Sequence, residues 1–124
     1  MKFLHTMIRV KDLDKSLSFY QKLLGLKLIN TLRLDDSTLY YLGNSEKETQ
    51  IELTVNDNIP ENGYVNGNSF GHFAFEIDSF DNFNKKIEEL GYKYLYEPFI
   101  LESAGLKIAF LKDPDGNEIE VIEK

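Results

Sequence analysis

Apolar and polar positions along this chain follow one arrangement twice. An apolar run, Lys2 to Val10, precedes DLDKSLSFYQKLLG, in which Leu13, Leu17, Tyr20 and Leu24 recur at the three-and-four spacing of one helical face. Asp12 is placed to cap that helix and Gly25 to end it in a left-handed conformation. Strand-like runs follow at about 26–33, 38–43 and 49–55. The stretch at about 56–69, NDNIPENGYVNGNS, is crowded with Asn and Gly and reads as a linker. The pattern then restarts. Phe70 to Ile77 is apolar, and DSFDNFNKKIEELG carries Phe80, Phe83, Ile87 and Leu90 on one stripe, with Ser79 as cap and Gly91 as stop. Strand-like runs at about 92–97, 106–112 and 117–123 complete it, the last two joined by DPDG (113–116), whose Pro and Gly suit a type I turn.

Each half reads strand–helix–strand–strand–strand, a duplicated supersecondary unit rather than a solenoid, which needs at least three short copies. The expected fold class is α+β: residues 1–124 form one domain of two tandem βαβββ units, about 1–55 and about 70–124. Their curved, mostly antiparallel sheets each carry a helix on the outer face and enclose a concave site.

Composition narrows the chemistry. With 21 Asp+Glu against 14 Lys+Arg, the net charge of −7 argues against a nucleic-acid partner, whose phosphates need a basic face. No window holds the ~18 consecutive apolar residues of a membrane span, so no membrane partner is expected and the location expected is cytoplasmic. The chain has no Cys, which excludes a disulfide framework, a thiolate metal site and a Cys nucleophile. There is no P-loop, GxGxxG or GxSxG motif. The reactive inventory reduces to carboxylates and two His.

Both His fall at the same place in the repeat. His5 lies in the first strand of unit one and His72 in the first strand of unit two, and each is followed at nearly the same interval by a Glu in the last strand, Glu52 in IEL and Glu120 in IEV. Alternation puts each carboxylate on the face opposite its aliphatic neighbours, a face that is either solvent or pocket. A lone Glu of this kind is ordinarily a solvated strand position and a lone His a satisfied imidazole; all four at repeat-equivalent positions point to a site. Two imidazoles and two carboxylates suit Ni, Co, Zn, Fe or Mn, and leave two octahedral positions for water or for a substrate chelating through two oxygens. A Lewis acid so placed stabilises an enediolate while a carboxylate carries the proton.

The segments LHTMIRV, IELTVN, GHFAFEI and DPDGNEIEVIE, in that order and spacing, resemble the glyoxalase I (lactoylglutathione lyase) family of the vicinal oxygen chelate superfamily, over about residues 1–123. The resemblance implies that His5, Glu52, His72 and Glu120 ligate one divalent metal, with Ni or Co favoured by the short chain and Zn possible. It implies that Glu120 and Glu52 move the substrate proton between C1 and C2 of a methylglyoxal–glutathione (or other thiol) hemithioacetal. It also implies a homodimer, in which His5 and Glu52 of one chain meet His72 and Glu120 of the other. Arg9 matches the family arginine for a glutathione carboxylate, and Asn56 the family asparagine for its peptide portion. One loop departs: LESAGLK places Glu102 where the family usually has Lys, leaving Arg9 and Lys107 as the positive charge for an anionic thiol.

Three other readings use the same fold. A methylmalonyl-CoA epimerase, an acyl-CoA enzyme, would share the enolate chemistry, although a Gln often stands there at the position of Glu52. An antibiotic-sequestering binding protein usually lacks the full ligand quartet. A ring-cleaving iron dioxygenase needs a three-ligand face with open positions, and a fourth ligand blocks one. The Tyr40-Tyr41 pair, the alternating Tyr92–Tyr96 run, Phe80, Phe83 and the Glu88-Glu89 pair read as structural.

Overall fold

A computed structural model describes residues 1–124. The chain divides into two compact units, Met1–Val65 and Asn66–Lys124. The Asn- and Gly-rich stretch is therefore shared between them. Its first part is tied to the first unit, where Asn56 Nδ2 donates to the Tyr64 hydroxyl (3.0 Å) and Lys11 Nζ to the Glu61 carbonyl (2.8 Å).

In the first unit, β1 (His5–Arg9), α1 (Leu13–Leu17), β2 (Lys27–Arg33), β3 (Ser37–Gly43) and β4 (Gln50–Asn56) follow the expected order. The sheet runs β1-β4-β3-β2, with β1 parallel to β4 and the other pairs antiparallel. The second unit repeats it with β5 (His72–Ile77), α2 (Phe80–Leu90), β6 (Phe99–Leu101), β7 (Leu106–Lys112) and β8 (Glu118–Glu123), in sheet order β5-β8-β7-β6. The α+β class and the tandem units are as the sequence reads. No helix is long and apolar enough to cross a membrane.

The helices differ from expectation in instructive ways. Asp12 caps α1 by accepting from the Lys15 N–H, and Gly25 ends the segment at φ 74°. Between them the helix widens into a π-helical turn, Ser18–Leu23, in which the Leu24 N–H reaches the Phe19 carbonyl, five residues back (3.1 Å). A wider turn shifts later side chains around the axis. In the turn Phe19, Tyr20 and Leu23 are buried and Leu24 after it is only half-buried; before it Ser16 is buried, with Leu13 and Leu17 half-buried. In α2 the stripe Phe80, Phe83 and Ile87 is core, but Leu90 is exposed at the last turn. Ser79 Oγ accepts from the Asn82 N–H (3.1 Å), Glu123 Oε2 accepts from the Phe80 N–H (2.5 Å), and Gly91 closes the helix at φ 76°.

The run at about 92–97 is not a strand. Alternating aromatic residues favour a strand, but Tyr94 turns to the helix. Its hydroxyl donates to Asn84 (2.7 Å) and its ring lies 6.4 and 6.3 Å from those of Phe80 and Phe83. Pro98 supplies no N–H to a ladder, and regular pairing starts only after it, at Phe99. The DPDG turn is as read: the Gly116 N–H reaches the Asp113 carbonyl (3.0 Å), and the buried Asp113 carboxylate accepts from the Asp115 and Asn117 N–H groups.

Candidate active site

Position on the parallel strand pair puts each His beside its Glu. In the first unit Met7 lies opposite Glu52, so His5 sits one same-face step along β1 from that carboxylate. In the second, Ala74 lies opposite Glu120 and His72 occupies the same step on β5. The resulting contacts are His5 Nε2 to Glu52 Oε1, 3.4 Å, and His72 Nε2 to Glu120 Oε2, 3.0 Å. No third His, Asp or Glu joins either pair within its unit.

Glu52 is 6% exposed, which a solvated strand position would not be. It lies on an inner strand, flanked by β1 and β3. Ile51 and Leu53 point to the opposite face and join the core with Leu42, Phe19 and Tyr20. Burying a carboxylate is costly unless donors meet it. Thr54 Oγ1, two residues along the same face, donates to Glu52 Oε2 at 2.7 Å. Tyr41, directly opposite Glu52 on β3, has its phenol pKa raised, first by burial and then by hydrogen bonding to Glu52 and that residue's charge. The His5 ring packs edge-on against Tyr41, with centroids 5.4 Å apart. The two His side chains are each 40% exposed. A cleft of about 520 Å³ opens beside His5 in the first unit, lined also by Asn30, Tyr41, Lys2 and Glu48.

The second unit has the same plan with different neighbours. Phe110 stands opposite Glu120 and meets His72 edge-on at 5.3 Å. Ile122 takes the place of Thr54.

The remaining sequence-marked residues fall less evenly. Arg9 shares the His5 face of β1, is exposed and forms no ion pair. Asn56 shares the Glu52 face of β4 and is held by Tyr64. Its neighbour Asp57 is gripped in a bidentate pair by Arg33 (2.7 and 2.6 Å), which lowers the Asp57 pKa. Lys107 is a correction. It alternates to the face of β7 opposite Phe110, so its ammonium lies 5.1 Å over the Phe80 ring on the helix side, and it brings no charge to the His72–Glu120 face. Thr54 and Phe110 escaped the sequence reading, and Tyr41, which it took as structural, stands opposite Glu52. The signal for Tyr41 was its place across the β3–β4 hairpin from Glu52, which needs the hairpin register to be seen.

Residues 2–121 match the Glyoxalase/Bleomycin resistance protein/Dioxygenase superfamily, and the chain belongs to it. It is 40% identical to glyoxalase I of Saccharomyces cerevisiae, aligning over 98% of this chain and 43% of that protein. It is 35% identical to the lactoylglutathione lyase of Neisseria meningitidis serogroup A, over 100% of this chain and 91% of that one. Among solved structures it resembles the trypanothione-dependent glyoxalase I of Leishmania major, with TM-score 0.83 and 32% identity, covering 99% of this chain and 86% of that one. The chain is thus a lactoylglutathione lyase-like enzyme, of the carbon–sulfur lyase kind.

Proposed function

We propose that this chain isomerises the hemithioacetal of methylglyoxal with glutathione, or with another thiol, to a hydroxyacyl thioester. The observation that carries the reading is the His–Glu contact formed twice, at the same strand register. One imidazole nitrogen and one carboxylate oxygen per unit are a donor set that fits a borderline divalent ion. His5, Glu52, His72 and Glu120 would hold one such ion, nickel or cobalt in preference and zinc as an alternative, with the first pair from one chain and the second from another copy in a homodimer. Bound there, the ion supplies Lewis-acid stabilisation of negative charge on two adjacent substrate oxygens.

The rest is done by side chains. Glu120 and Glu52 take the proton from one substrate carbon and return it to the next, which needs a carboxylate within hydrogen-bond reach of both. Arg9, exposed and unpaired, offers its guanidinium to a carboxylate of the thiol. Asn56 offers its amide to the peptide portion in exchange for Tyr64. The experiment is direct: metal-free protein loaded with nickel, cobalt or zinc is given methylglyoxal with glutathione and with other low-molecular-weight thiols. Thioester absorbance rises with at least one pairing. No turnover under any combination overturns the reading.

A further inference from the structure

The Asn- and Gly-rich stretch between β4 and β5 holds the dipeptide Asn–Gly twice, at 62–63 and at 66–67. Asparagine is a thermolabile residue, and a following glycine, with no Cβ in the way, lets the next backbone nitrogen reach its side-chain carbonyl carbon. Both glycines have a left-handed φ, 77° at Gly63 and 72° at Gly67. Their surroundings differ. The Gly63 N–H is committed to the Pro60 carbonyl (2.9 Å), and Lys11 Cδ lies 3.7 Å from where a Cβ would stand. The Gly67 nitrogen has no hydrogen-bond partner, and nothing lies within 4 Å of the corresponding point.

Asn66 also has a structural task that Asn62 lacks. Its Nδ2 donates to Asn117 Oδ1, and Asn117 Nδ2 donates in turn to Asp113 Oδ2 (2.9 Å). The direction of this chain is set at its buried end. Asp113 and Asn117 are each 4% exposed, and the second Asp113 oxygen already takes the Asp115 and Asn117 N–H groups. A carboxylate offers acceptors, so Asn117 turns its nitrogen toward Asp113 and its oxygen toward Asn66, where only a donor can meet it. The turn held in this way leads directly into β8.

We propose that Asn66–Gly67 is a self-modifying site, and that its reaction opens this latch. The Gly67 nitrogen attacks Asn66 Cγ, and its proton passes through water to Nδ2. The Cγ–Nδ2 bond breaks, ammonia leaves and a cyclic imide closes. Water then opens either carbonyl–nitrogen bond of the ring, giving aspartate or isoaspartate. The bond to Asn117 engages the departing nitrogen and leaves the attacked carbon open on an exposed residue. Either product has lost the amide donor and gained a negative charge. Asn117 has no donor to offer in return, because its nitrogen is held by Asp113. A buried acceptor left unmet costs stability.

The test holds the full-length protein in mildly alkaline buffer, folded and in urea, and follows both sites over days by peptide mass mapping. Each rate is expressed relative to that of the same site in urea, which removes the intrinsic chemistry. On that scale Asn66 converts several-fold faster than Asn62 in the folded protein, and Gly67→Ala slows Asn66 alone. Asn66→Asp, the direct product, lowers the melting temperature, whereas Asn62→Asp, an equal charge change in the same stretch, leaves it unmoved. Asn66 converting no faster than Asn62 on that scale overturns the site. A melting temperature for Asn66→Asp equal to that of Asn62→Asp overturns the latch.

Discussion

Glu52 shows how much of a site is decided by what surrounds a single carboxylate. It is nearly sealed from water, and the Thr54 hydroxyl is a short, charge-assisted donor to it. Thr54→Val keeps the shape and removes that donor. The variant is expected to lose about 1–3 kcal/mol of stability, measured as a lower urea midpoint at unchanged slope; an unmoved midpoint would show that the bond carries nothing. Tyr94 is the second residue with a measurable consequence. Burial, then the charge of Glu97, pushes its phenol up to about 12, against about 10 in an unfolded chain. An acid whose folded pKa is raised stabilises fully below its unfolded value and loses that contribution as pH rises through the folded one. Between pH 10 and about 12 the wild type should therefore lose stability more steeply than Tyr94→Phe, as read by denaturant midpoints across that range.

Elements were legible wherever a local signal had no competitor. Ser79, the Phe80–Phe83–Ile87 spacing and Gly91 define α2 without help from the rest of the chain, and the structure agrees. Gly91→Ala meets no neighbour within 4 Å, so its cost is the left-handed backbone alone, about 1–2 kcal/mol. Thermal unfolding of the variant measures it. The misses share one cause, which is that a partner distant in sequence chose between local options. The Tyr92–Tyr96 alternation is a real strand pattern, but Asn84 and the helix rings captured Tyr94. The π-turn depends on how Phe19, Tyr20 and Leu23 fill the core, which spacing does not encode. The His–Glu pairs were readable because a duplication aligned them; Tyr41 reads as structural until the register of β3 against β4 sets it opposite Glu52. Lys107 was misplaced because its strand face depends on the register of β7 against β8.

At the scale of the molecule, 21 acidic residues make this chain short of positive charge, and Glu52 and Glu120 lie beside His side chains that are charged only if protonated. A divalent ion that binds the folded state and not the unfolded one stabilises it by mass action, about 2.7 kcal/mol at a hundredfold excess over Kd. Nickel should raise the melting temperature and a chelator reverse the rise; a temperature unmoved by every divalent metal counts against the site. The two units also differ in a way that bears on heredity. A chain built from two copies of one unit can vary one copy while the other keeps its arrangement, and the same strand order and the same His–Glu register stand in both sheets. Tyr41 and Phe110, at matching register and both edge-on to a His, show what the duplicated frame holds fixed: an aromatic ring against each imidazole, whatever else changes around it.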